Sequence, residues 1–278
     1  MPNGGYLIRA VIASREIGSY HRHMRLNKFI ASASPLSRRA ADEAIASKRV
    51  TLNGQTAVTG SQVKTTDTVC LDGVKLTLRL QHTTILLNKP VGYVCSRSGQ
   101  GSKTIFELLP PEYNHLQPVG RLDKDSSGLL LLTDDGDLAN KLTHPRYTKT
   151  KVYEVTLDKP LQPLHQQMIS DYGVTLEDGL SRFTVTKLET RDMRHESRKE
   201  NISRSDYSKV ASSDVSSTHD PVLMTRDSHA YEVRMQEGRN RQIRRTFAAL
   251  GYSVTTLHRT QFGSYNLANI LIGRYKLP

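Results

Sequence analysis

Cysteine is scarce in this chain. Cys70 and Cys95 are the two that occur in 278 residues, too few for a disulfide framework, and nothing near them has metal-ligand spacing. The expected setting is therefore reducing and intracellular, with no metal. Long apolar runs are also missing. None approaches the roughly 18–20 residues that a bilayer-spanning helix needs. A membrane-surface reading would need a basic amphipathic helix with large apolar residues, and none is visible. With 37% hydrophobic and 24% charged residues, the chain can build a core and is too polar for a membrane protein.

Acids are outnumbered, 27 Asp and Glu against 39 Lys and Arg, for a formal net charge of +12. That balance points to a polyanionic partner. The surplus is uneven: residues 1–82 carry 12 basic against 5 acidic side chains, and the remainder 27 against 22. The front of the chain is the better candidate for gripping phosphates. Residues 1–23 read as a disordered extension, with Arg9, Arg15 and Arg22 against Glu16. Arg9 interrupts its apolar segment, which excludes a normal secretory signal. A start upstream of Met24 or an organelle presequence accounts for the extension; the expected location is cytoplasmic.

From Met24 the texture changes. Leu26, Phe29 and Ile30 recur at helical spacing until Ser34-Pro35 interrupts them. Ser37 reads as the N-cap of a second helix, Arg38 to Ala46. Val50 to Gln55 holds an Asn-Gly hairpin signal, and β-like segments follow at Thr68–Leu71 and Lys75–Leu80. Arg25, Lys28, Arg38, Arg39, Lys48 and Arg49 lie on or beside the two helices, opposed by Asp42 and Glu43. A solvated face would explain such a run as well as an RNA contact would.

Beyond residue 82, β-like runs at Thr83–Asn88, Lys151–Leu157, Ser181–Glu189 and His229–Met235 alternate with few helices, at Leu138–Leu142 and Asn240–Leu250. The expected class is α+β, on a mixed, largely antiparallel β-sheet with flanking helices. Thr190–Met224, rich in Ser, Asp, Arg and Lys, reads as a low-complexity insertion between two strands.

The most informative stretch is Gly120-Arg121-Leu122-Asp123-Lys124-Asp125-Ser126-Ser127-Gly128, followed by four leucines and Thr133. The leucines predict a short, fully buried strand, and Asp123 sits on the loop that enters it. Taken alone, Asp123 could simply cap a turn. Three other segments stand beside it. Asn88-Lys89-Pro90-Val91-Gly92 by itself is a strand that ends in a turn. Lys151-Val152-Tyr153-Glu154-Val155 puts Tyr153 with Val155 on one strand face, where a core tyrosine with a satisfied hydroxyl is the plain reading. Glu237-Gly238-Arg239-Asn240-Arg241-Gln242-Ile243-Arg244-Arg245 opens a helix with four arginines in seven residues. Arg241 and Arg244 should share a face, with Ile243 and Phe247 toward the core. Arginines this close repel unless an RNA backbone or a buried carboxylate lies between them.

The segment from Met24-Arg25-Leu26-Asn27-Lys28 through Ser37-Arg38-Arg39 to Val50-Thr51-Leu52-Asn53-Gly54 resembles the S4 (alpha-L) RNA-binding domain over residues 24–80, except that Ser34 stands where that family usually has glycine. The Asp123 loop, Lys151-x-Tyr153, the arginine run, Lys89-Pro90-x-Gly92 and Leu257-His258-Arg259-Thr260-Gln261-Phe262-Gly263 resemble, in order, pseudouridine synthases of the RsuA/RluB/RluE/RluF type. The resemblance implies an S4 domain at 24–82 and a catalytic domain at 83–278. The implied activity is isomerisation of a uridine in ribosomal RNA, or alternatively in tRNA, by a monomer without cofactor or metal. It implies Asp123 as nucleophile or base, Arg244 as its counter-ion, and Tyr153 as the group that stacks on the base and helps remove its C5 proton. Leu257 would line the base pocket, and Arg25, Lys28, Arg38, Arg39, Arg121, Arg239 and Arg241 would contact RNA. Two rival readings remain at this point: a non-catalytic S4-type protein acting in ribosome assembly, and an RNA N-glycosylase.

Overall fold

The computed structural model describes residues 23–78, 81–188 and 229–278. Residues 1–22 of the expected extension and the whole 190–224 insertion lie outside the described residues. The contacts form two compact units, one ending at His82 and one beginning at Thr83.

In the first unit, helices Leu26–Ala33 and Arg38–Ala46 pack through Leu26, Ile30, Ala41, Ala44 and Ile45. Ser37 caps the second helix as the sequence predicts, its Oγ accepting from the Ala40 amide at 3.1 Å. At Ser34 the backbone is extended, φ −142° and ψ 171°, so no glycine is needed there. The Ser34 hydroxyl makes the turn instead, donating to the Ile30 carbonyl at 2.7 Å and accepting from the Leu36 amide at 3.3 Å. The strands run in the order Gln55–Thr56, Val50–Leu52, Val69–Leu71, Val74–Lys75. Asn53 and Gly54, at φ 54° and 82°, make the hairpin turn. Of the expected strand from Lys75 to Leu80, residues 79 and 80 lie outside the described residues, and the observed strand is Val74–Lys75. Leu76 tucks onto the core and Leu78 is exposed, so no sheet face remains for the alternation to follow.

The second unit is organised by one sheet. In spatial order, seven of its nine strands are Thr184–Lys187, Ala230–Met235, Lys151–Leu157, Val254–Phe262, Ser127–Thr133, Thr84–Lys89 and Tyr275–Lys276; Tyr265–Asn266 pairs with Val254–Phe262, and Gln117–Pro118 with Ser127–Thr133. Among the described residues every pairing in it is antiparallel except one, Val254–Phe262 with the leucine strand Ser127–Thr133. The mixed, largely antiparallel sheet expected from sequence is therefore present. Leu129 to Leu132 are fully buried, as expected of a central strand, alternately serving the two faces of the sheet. Each such side chain contributes about 1.5–3 kcal/mol by leaving water. The helix Gln242–Ala249 covers one face with Ile243 and Phe247, and Leu142 of the helix Gly136–Thr143 covers the other.

The parallel pairing depends on Gly128. It faces Arg259 across the ladder at φ 104°, and a Cβ there would lie 2.3 Å from the Arg259 carbonyl oxygen. Further along, the expected strand Ser181–Glu189 divides into Gly179–Ser181 and Thr184–Lys187. The break falls where the buried Ser181 hydroxyl turns inward to accept from Gln242 Nε2 and Thr246 Oγ1.

Candidate active site

The Asp123 loop is clamped from behind. Lys89, the last residue of its strand, is 0% exposed, and its ammonium donates to the carbonyls of Pro90, Asp123 and Ser126 at 3.0, 3.0 and 2.7 Å. Burial draws this ammonium below the usual lysine range against the pull of nearby anionic groups, Asp123 among them. The Gly92 amide donates to the Lys124 carbonyl at 2.7 Å, and Cys95 Sγ meets the Leu122 backbone. The sequence shows Lys89-Pro90-x-Gly92 as a turn within a motif and gives Lys89 no site role. Its signal was a lysine ending an otherwise apolar strand.

The arginine run divides between two carboxylates. Arg241 grips Asp125 with both guanidinium nitrogens, at 3.2 and 3.0 Å, and reaches Asp123 Oδ2 at 3.6 Å. It does so from a left-handed backbone, φ 47° and ψ 29°, at the helix N-cap, a conformation that costs about 1–2 kcal/mol outside glycine. Arg244 lies with its Nε 3.4 Å from Asp125 Oδ2 and donates to the carbonyls of Asp125 and Val254 at 2.8 and 2.7 Å. The expected direct pair of Arg244 with Asp123 is thus corrected. Arg241 makes that contact, because Asp125 and two carbonyls take up the Arg244 guanidinium.

Arg239 and Arg245 turn the other way. Arg239 donates to Asp178 Oδ1 at 2.9 Å and to the carbonyls of Asp178, Gly179 and Leu180, while Arg245 grips Asp178 at 3.0 and 2.7 Å. Arg239 therefore fastens the Val174–Ser181 hairpin. Asp178 is held below the ordinary carboxylate range by its hydrogen bond to Arg245. At Asp125, burial pushes the carboxyl up, but the Arg241 hydrogen bond and the two arginine charges prevail and hold it low. The Asp123 side chain is 34% exposed.

Asp123, Tyr153, Leu257, Lys151, Arg259 and Phe262 line one cavity of about 330 Å³, with Arg121 exposed at its rim. The strands explain the grouping. Tyr153 pairs with Arg259 and Val155 with Leu257 across the ladder, so alternate residues of both strands face the same side. Tyr153 is 8% exposed, yet its hydroxyl has no hydrogen-bond partner among the described residues. Tyr231 and Tyr252, by contrast, accept from the Leu161 and Gln162 amides. Tyr153 is thus unlike the satisfied core tyrosines around it. Burial, with the charge of Arg259, draws the Lys151 ammonium below the usual lysine range.

In the first unit Arg25, Arg38 and Arg39 are exposed and have no ion pair among the described residues, whereas Lys28 is partly buried and engaged. Among the described residues there is no group of three or more His, Cys, Asp and Glu that could hold a metal ion, and no helix long and apolar enough to cross a membrane.

Comparison with known proteins follows this division. The family model described as RNA pseudouridylate synthase matches residues 83–249, and that of the S4 domain matches residues 24–69. The chain is 33% identical over 256 residues to ribosomal small subunit pseudouridine synthase A of Pasteurella multocida, covering 91% of this chain and 95% of the relative. It is 32% identical to ribosomal large subunit pseudouridine synthase B of Bacillus subtilis, covering 90% and 89%. A dual-specificity RNA pseudouridine synthase, RluF of Escherichia coli, is 33% identical, covering 91% and 74%. A solved pseudouridylate synthase structure superposes with a TM-score of 0.57 at 28% identity, covering 92% of this chain and 96% of that one.

Proposed function

The chain belongs to the RNA pseudouridylate synthase family and carries an S4 domain, and from that premise we propose that it isomerises a specific uridine of ribosomal RNA, with Asp123 as the reacting carboxylate. The observation that carries the reading is the placement of Asp123 on a clamped loop, 3.6 Å from Arg241, in one cavity with Tyr153 and Leu257.

In this reading the ionised Asp123 bonds to the ribose C1′ or takes the C2′ proton, and the C1′–N1 bond breaks with its electron pair leaving on the base. The base turns and rejoins through C5 as the Asp123–C1′ bond breaks or Asp123 returns the proton to C2′, and the C5 proton is then lost with the help of Tyr153. Arg241 and Arg244 supply fixed positive charge that favours the ionised carboxylate. Their bond to Asp125 keeps both guanidinium groups at the loop. The Tyr153 hydroxyl, which has no protein partner among the described residues, and apolar Leu257 suit a base withdrawn from its stack, since a duplex leaves no room to turn one over. Residues 24–82 act as an RNA-binding domain through Arg25, Arg38 and Arg39, and residues 83–278 as the catalytic domain. The substrate choice of ribosomal RNA over tRNA rests on the named relatives, and the protein acts as a monomer in the cytoplasm.

The test is chemical. Asp123→Asn should retain RNA affinity and lose pseudouridine formation by about a thousandfold or more in single turnover. A wild-type protein that binds ribosomal RNA but forms no pseudouridine in it would favour a platform role in ribosome assembly. Release of free uracil would mark an N-glycosylase.

A further inference from the structure

The cavity holds more positive charge than its own carboxylates balance. Asp123 is the single acid in its lining, against Arg121, Lys151, Arg239, Arg241 and Arg259. Arg239 is matched by Asp178, and Arg241 by Asp125. Lys151 and Arg259 are not matched. The Lys151 ammonium donates to the carbonyls of Gln236 and Glu237 at 3.0 and 3.1 Å. Arg259, 2% exposed, donates through Nε to the Leu129 carbonyl at 2.8 Å, and its buried Nη2 has no partner. Lys89, buried behind them, is bonded to carbonyls alone. Among the described residues none of these three cations lies within ion-pair distance of a carboxylate. Lys151 and Arg259 both lean on Phe262, at 5.4 and 4.9 Å from its ring centroid, and Arg259 is the register partner of Tyr153. Arg259 is buried and Lys151 partly so, and enclosed cations without a counter-ion are costly unless an anion arrives.

The proposed chemistry delivers one. When C1′–N1 breaks, the bonding pair stays on the base, and no proton accompanies it. The unit negative charge that began on Asp123 ends on the detached base, spread over N1 and its carbonyl oxygens, until C5 returns the pair to C1′. We propose that Lys151 and Arg259 form a cationic wall that stabilises the detached base as an anion, a role that rests on the uridine-isomerising reading above. The wall is charged before the reaction starts and needs no rearrangement when the negative charge arrives.

The experiment compares single-turnover rates at saturating RNA for wild type, Arg259→Gln, Arg259→Lys and Lys151→Gln. Each is run on a ribosomal RNA transcript containing uridine and on one containing 5-fluorouridine. Consumption of the target nucleoside and RNA affinity are both measured. Fluorine withdraws electrons, so the detached base needs less help as an anion. The expected result is about a hundredfold loss for Arg259→Gln on uridine, a loss several-fold smaller on 5-fluorouridine, recovery in Arg259→Lys, and affinity close to wild type. Equal losses on both transcripts would mean that the residues only support the fold. Weaker affinity with an unchanged saturated rate would make the wall a backbone-phosphate contact. Either result overturns the proposal. Should Arg259→Gln fail to fold, Lys151→Gln carries the same comparison between transcripts. A wild type that converts neither transcript would instead overturn the isomerase reading itself, a failure distinct from variants that match an active wild type.

Discussion

Arg241 and Arg244 close on Asp125, at the loop that carries Asp123, while Arg239 and Arg245 of the same short run close on Asp178 in a hairpin. The four residues share a charge and a neighbourhood. Their surroundings assign them different work: the first pair holds positive charge beside the Asp123 carboxylate, and the second pins the Val174–Ser181 hairpin to the helix. Arg38 and Arg39 of the first unit make a third case, exposed and without a carboxylate among the described residues. An arginine's role in this protein is decided by which anion reaches it.

Substitutions can break that three-way contrast. The largest effect is expected for Arg244→Ala, a fall of about 10²–10³-fold in single-turnover rate with affinity within a few-fold of wild type, because it strips charge from the carboxylate loop. A loss confined to affinity would move Arg244 into the phosphate-contact class. Asp125→Asn should slow the same step by about 10–100-fold, since both arginines lose their anchor. It should also change the acid limb of stability. The Asp125 carboxyl is pushed up by burial but held low overall by its arginines. Its contribution is therefore present above the ordinary Asp pKa of about 3.9 and is lost as pH falls through the lower folded value. Thermal melts should show wild type losing more stability than Asp125→Asn over that acid range.

Arg38→Ala with Arg39→Ala should weaken RNA binding by about tenfold and flatten its log–log salt slope by roughly 1–2, leaving the saturated rate unchanged. An unaltered slope would return these side chains to a merely solvated face. Among the four clustered arginines the smallest catalytic effect is expected for Arg239→Ala: a melting point lower by about 2–4 °C and a single-turnover rate within about twofold. A large rate loss without a shift in melting would erase the distinction between the two carboxylate clusters.

Much of this arrangement is legible in the chain. The Ser37 cap, the Asn53-Gly54 turn, the buried leucine strand and the inward Ile243 and Phe247 follow from local chemistry and periodicity, and all are present. The partition of the arginines is not legible. Asp125 lies 116 residues from Arg241, and Asp178 lies 67 from Arg245, so no local pattern pairs them. The exchange of Arg244 for Arg241 beside Asp123 has the same origin, since helical spacing placed both arginines on one face without saying which would meet which acid. Lys89 was half legible. Its place at the end of a buried strand was in the pattern, but its target, carbonyls 34 and 37 residues onward, was not.

Lys89 also provides a clock. An amine that is wholly enclosed and committed to three carbonyls cannot react with an acylating reagent while the loop is shut. The rate at which reagent marks Lys89 therefore counts how often the Asp123 loop opens in the native ensemble, with the exposed lysines serving as an internal standard. Followed with and without RNA, that count would tell whether substrate finds the loop already set or sets it on arrival.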